Sequence, residues 1–156
     1  MKFYYAKGTI ATATGVALHE AGIAFDPVRV DFRTAEQTQP EYRTINPKGR
    51  VPALVTDRGI LTETGAILEY IADIAPEAGL RPEDAFAAGK MRETMCYVGS
   101  TMHVNHAHGP RGNRWADSDS AIADMKAKVA ETMSDSARHV EEHVLEGPYV
   151  LGDTLS

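Results

Sequence analysis

The chain has 156 residues, with 16 Lys and Arg against 22 Asp and Glu, a formal net charge of −6 and one cysteine. That length suits one domain or two small ones with a real core, and an acidic balance without a basic stripe lacks the electrostatic footprint of nucleic-acid binding. The lone Cys96 excludes an intrachain disulfide and a four-thiolate zinc site and points to a reducing, cytoplasmic setting; no stretch approaches the roughly 20 apolar residues of a membrane span, so a soluble protein is expected.

In chain order, Phe3 to Ala6 reads as a strand. The uncharged run Gly8 to Leu18 is dominated by Thr, Ala and Gly, which makes a poor signal peptide. Thr12 or Thr14 is placed to cap a helix bearing Val16, Ala17, Leu18 and Ala21 that stops at Gly22. Val28, Val30 and Phe32 alternate with Arg29 and Asp31 as in a half-buried strand, and Gln37 to Asn46 is polar and irregular. Val51 to Val55 and Gly59 to Thr62 read as strands joined by a turn at Asp57-Arg58-Gly59. Glu63 or Thr64 opens a helix with Ile67, Leu68, Ile71 and Ile74, which Pro76 ends. Beyond it, strand signals disappear. Pro82 to His106 and Ser118 to Leu145 follow a 3.6-residue period, the second through Ile122, Met125, Val129, Met133, Val140 and Val144, and Gly109 to Trp115 separates them. The expected organisation is an α/β domain over 1–76, a linker over 77–82 and an all-helical domain over 83–156.

Two strings carry chemistry. In Asn46-Pro47-Lys48-Gly49-Arg50-Val51-Pro52-Ala53-Leu54, a proline opens an apolar strand, where it cannot donate to a ladder. Were the Val51-Pro52 bond cis, the Val51 backbone N–H and C=O would turn outward to pair with a peptide-like ligand; an edge strand with a trans proline fits the same string. At Glu63-Thr64, strand meets helix, so a carboxylate, a hydroxyl and unpaired helix N–H groups converge. Such a group can hold both ends of an amino acid, the ammonium on Glu63 and the carboxylate on Thr64 and the N–H groups. A plain helix cap with a first-turn acid explains the same residues.

Together, N-P-K-G-x-V-P-A-L followed by T-E-T at a helix start, with a helical second half, resembles the glutathione transferase superfamily. The opening Met1-Lys2-Phe3-Tyr4-Tyr5 and the Ala17-Leu18-His19-Glu20-Ala21-Gly22 segment are similar to the bacterial beta class. The resemblance implies an α/β thioredoxin-like N-terminal domain followed by an all-helical C-terminal domain. It implies glutathione as co-substrate rather than a bound cofactor, a small electrophile as second substrate, and a homodimer. The Val51 backbone would pair the cysteinyl unit beside a cis Pro52, Glu63 and Thr64 would hold the γ-glutamyl end, and Arg50 would reach the glycyl carboxylate.

Where the beta class usually has a cysteine this chain has Ile10, so mixed-disulfide chemistry is lost, and a lysine common in the class is Ala35, which thins the site further. Activation must then lower the thiol pKa: from about 8.5, two units (about 2.7 kcal/mol) raise the ionised fraction at pH 7 from about 3% to about 75%. Thr9 is the first candidate donor, with Tyr5, Thr12 and backbone N–H groups behind it. By the resemblance, His103 faces the sulfur from the second domain. His103 and His106 lie one helical turn apart with Cys96 two turns earlier, yet no acidic residue falls at ligand spacing, so no metal site is expected. Cys96 is expected as a buried thiol, and Arg111 to Arg114 as a solvated loop. Ser156 stands where the superfamily caps a buried helix, so the chain is expected to be a shortened piece. The alternative readings are a non-catalytic glutathione-binding protein and a dimeric scaffold of the same fold.

Overall fold

The computed structural model describes residues 1–155 and divides the chain into Met1–Arg81 and a second unit that starts at Pro82. Ser156, the expected helix cap, lies outside the described residues.

In the first unit, β1 (Lys2–Tyr5), β2 (Asp26–Arg29), β3 (Ala53–Thr56) and β4 (Gly59–Thr62) form one sheet in the order β2-β1-β3-β4. β2 runs parallel to β1, β3 antiparallel to β1, and β4 antiparallel to β3. α1 (Ala11–Glu20), α2 (Pro40–Arg43) and α3 (Thr64–Ile74) join them in a thioredoxin-like arrangement. The core unites Phe3 of β1, Leu54 of β3, Ala11 and Leu18 of α1, and Ile67 and Ile71 of α3. Each large side chain in it contributes about 1.5–3 kcal/mol by leaving water.

Four expectations are corrected here. α1 starts ahead of Thr12 and Thr14, which therefore lie inside it; Gly8 turns the chain at φ +69°, and Thr12 N–H already bonds to Thr9 C=O (3.1 Å). β2 is shifted toward the N-terminus. Phe32 belongs to a 3₁₀ turn (Phe32–Thr34), because Asp31 accepts from Arg33 N–H (2.9 Å) and folds the chain back. The Arg33 guanidinium beside Asp31 also holds that carboxyl well below the usual carboxylate range. The polar 37–46 stretch is not wholly irregular, since Pro40 at the first helical position, with its preset φ, seeds α2. At the other end of α1 the expectation holds, with Gly22 at φ +63°.

The second unit contains α4 (Ala85–Tyr97), α5 (His103–Arg111) and α6 (Asp119–His143). A π turn at Val98–Met102 interrupts the first periodic segment. Asp84 and Ser118 cap α4 and α6. All six apolar positions expected on α6 are half-buried, while Lys126, Lys128, Glu131, Glu141 and Glu142 are exposed. The fourth correction concerns Gly109-Pro110, which α5 runs through to Arg111: Pro110 removes one i→i−4 bond and crowds the preceding turn, and the helix ends at the next residue. The break comes at Gly112, whose missing Cβ would lie 3.1 Å from Ile122 Cγ2. Asn105 reaches across to the buried Ser136 Oγ (3.1 Å). No helix among the described residues is long and apolar enough to cross a membrane.

Candidate functional site

The sheet register brings the sequence candidates of the first unit to one end of the sheet. Ala53 at the start of β3 pairs with Tyr4 near the end of β1 and with Thr62 at the end of β4. Consequently Tyr5 and the Thr9 turn, the Val51-Pro52 bond and the Glu63-Thr64 junction all leave the sheet at the same end. The Val51-Pro52 bond is cis, as the resemblance implied; Pro52 is buried and Val51 half-buried.

Glu63 precedes α3 with φ 75° and ψ 121°, a conformation that L-residues seldom adopt and that persists where surrounding structure holds it. Its side chain does not cap α3; its carboxylate instead pairs with Lys48 Nζ, which also donates to Thr62 Oγ1 (2.7 Å). Thr64 is the first residue of the helix and is half-buried. The N–H groups of the first turn of α3 are thus left without a side-chain cap.

Loop 46–52 is fixed from below by two residues that the sequence reading did not single out. Asn46, 1% exposed, donates from Nδ2 to Arg50 C=O (2.7 Å) and accepts from Lys48 N–H at Oδ1 (3.1 Å). The Tyr42 hydroxyl donates to the same Arg50 carbonyl (2.7 Å). Burial, with Tyr4 and Glu36 adding to it, pushes the Tyr42 phenol up to about 12. The available signal was Asn46 itself: a buried amide must spend its hydrogen bonds on backbone, which is what fixes a loop. Arg50 contributes its carbonyl to this frame while the residue stays exposed.

At the α1 end, Thr9 Oγ1 donates to Ala6 C=O (2.7 Å) and accepts weakly from Ala11 N–H (3.4 Å). Its one proton is therefore engaged within the protein. Ile10 is 40% exposed and Thr12 is exposed. Tyr5 stacks on Phe3 (ring centroids 5.7 Å apart) and, with Thr12, Val16, Ile23 and Phe25, lines an open apolar groove of about 790 Å³ beside α1.

In the second unit, His103 opens α5 half-buried, His106 is exposed, and His108 packs edge-on against Trp115 at 4.7 Å. Arg111 and Arg114 fall in helix α5 and the following 3₁₀ turn rather than in an open loop. Cys96, expected buried, is exposed on α4. It stands five residues, about 140° around the helix, beyond the buried Met91, which turns it off the inward face. Among the described residues no three His, Cys, Asp or Glu side chains are grouped to hold a metal ion.

Residues 1–73 match the family profile described as the glutathione S-transferase N-terminal domain. A glutathione transferase homologue from Sulfitobacter, solved with bound glutathione, is 56% identical, with a TM-score of 0.97 over 99% of this chain and 75% of that one. The beta-class glutathione S-transferase of Sphingomonas chungbukensis is 32% identical, with a TM-score of 0.82 over 100% of this chain and 76% of that one. Glutathione S-transferase GstA of Escherichia coli O157:H7 is 36% identical over 106 residues, which are 66% of this chain and 53% of that relative, so the match spans about half of its length.

Proposed function

Because the chain belongs to the glutathione S-transferase superfamily, we propose that it is a glutathione transferase-like enzyme that ionises the glutathione thiol for attack on a small electrophile or for disulfide reduction. The observation that carries this reading is the convergence of the Thr9 turn, Val51 and Glu63-Thr64 at one end of the sheet. There the Val51 backbone pairs the cysteinyl unit, and the Arg50 side chain reaches the glycyl carboxylate. Glu63 takes the γ-glutamyl ammonium; Thr64 and the first N–H groups of α3 take its carboxylate. The sulfur then lies toward the start of α1, where the Thr9 hydroxyl and the helix N–H groups stabilise the thiolate and Tyr5 and Thr12 stand behind them. The thiolate forms a bond to an electrophilic carbon, and the leaving group departs with the displaced electron pair. Thr9 takes part only by turning its proton from Ala6 C=O to the sulfur.

That engaged proton, together with Ile10, favours a second reading, a glutathione-binding protein that does not activate the thiol. Glutathione-dependent consumption of an activated aryl halide at neutral pH separates the two. The enzyme reading expects a saturable rate above the uncatalysed reaction with this electrophile or with a small disulfide, and rates equal to the uncatalysed ones with both leave only binding. The superfamily resemblance extends to a homodimer in a reducing cytoplasm, which an exposed Cys96 tolerates.

A further inference from the structure

The pairing of Lys48 with Glu63 adds a residue to the site that neither sequence motif assigns. Lys48 has a fixed backbone: its N–H bonds to the buried Asn46, and the next residue, Gly49 at φ +62°, leaves no room for a Cβ, which would meet Gln37 C=O at 2.8 Å. From this anchored position the side chain spans from the loop to the β4–α3 junction. An ammonium carries three donors. Two are used, on Thr62 Oγ1 and Glu63 Oε1, which leaves one N–H of Lys48 and the second carboxylate oxygen, Glu63 Oε2, without partners among the described residues. A cation and an anion held side by side, each with one position open, match a zwitterion whose ammonium and carboxylate sit on the same carbon.

Resting on the glutathione reading of this site, we infer that Lys48 is a substrate-binding residue that takes the α-carboxylate of the γ-glutamyl head while Glu63 Oε2 takes the ammonium beside it. Lys48 thereby selects thiol peptides that carry a complete α-amino-acid head. Because both side chains are partly exposed, 42% for Lys48 and 65% for Glu63, their mutual attraction is weak and opens readily to a ligand. On ligand binding the exchange is even in charge: the ligand carboxylate takes up the ammonium of Lys48 by a charge-assisted bond while the ligand ammonium takes up the carboxylate of Glu63.

The test is calorimetric titration of the full chain and its Lys48→Met and Lys48→Arg variants with three probes. These are glutathione, the analogue with 4-aminobutyryl in place of γ-glutamyl, which lacks the α-carboxylate, and the glutaryl analogue, which lacks the ammonium. Lys48→Met is expected to weaken glutathione about tenfold or more and the glutaryl analogue similarly, to leave the already weak 4-aminobutyryl analogue unchanged, and to be largely rescued by Lys48→Arg. Equal loss on all three probes would make Lys48 a support of the loop rather than a ligand. Unchanged or tighter glutathione binding would make it a competitor for Glu63; either outcome overturns the inference while the glutathione site stands. No glutathione binding by the unaltered chain overturns both.

Discussion

Thr9 holds its hydroxyl proton against Ala6 C=O at 2.7 Å, so its place in catalysis depends on giving up one hydrogen bond for another in the presence of a thiolate. If it does so, Thr9→Val should raise the pKa read from the pH–rate profile and lower turnover with little change in glutathione affinity, and Thr9→Ser should restore both. An unchanged profile in Thr9→Val would assign sulfur stabilisation to the N–H groups of α1. Tyr42 permits a second test. Its phenol lies above the unfolded value of about 10 and reaches about 12 in the folded chain. The fold therefore favours the neutral form, and this contribution is complete below about pH 10 and is lost as pH climbs toward 12. Tyr42→Phe should cost about 0.5–1.5 kcal/mol at neutral pH, through the lost bond to Arg50 C=O, and should flatten the alkaline fall of the melting temperature. The Val51-Pro52 and Glu63-Thr64 junctions were legible as local features because they stand in motifs. Asn46 and Tyr42 were not, because what they do is settled by which carbonyl they face, and that needs the folded loop.

The strands β3 and β4 and the helices α3 and α6 were readable from periodicity and turn residues, since each buries one face in a regular step. Where local hydrogen bonds outweighed periodicity, the reading failed. Asp31 bent the chain before Phe32, the Gly8–Thr9 turn started α1 early, and Pro40 seeded a four-residue helix within a polar stretch. The π turn that divides α4 from α5 left no composition signal. The loop that carries Lys48 and Arg50 depends on Gly49 for both its positive φ and its approach to Gln37. Gly49→Ala is therefore expected to destabilise the first unit by about 1 kcal/mol or more and to weaken glutathione binding at the same time. Urea unfolding and titration of that variant measure the two effects; a stable variant that binds normally would show that the loop adapts.

Across the whole molecule, the α/β half followed by a helical half was legible from the switch of period near Pro76, and the superfamily from two short strings combined. What the period switch could not supply was the meeting of three separated turns at one end of the sheet, which only strand order and register create. A homodimer predicts sedimentation at about twice 16.9 kDa at micromolar concentration, and a sharp boundary at 16.9 kDa would contradict it. In the proposed reaction the first unit binds glutathione and ionises its thiol without a cysteine at position 10. Titration with glutathione at neutral pH, with binding heat and thiolate ultraviolet absorbance followed together, tests it most directly. Saturable heat accompanied by new thiolate absorbance is the predicted result, and heat without thiolate, or no saturable heat at all, would contradict it.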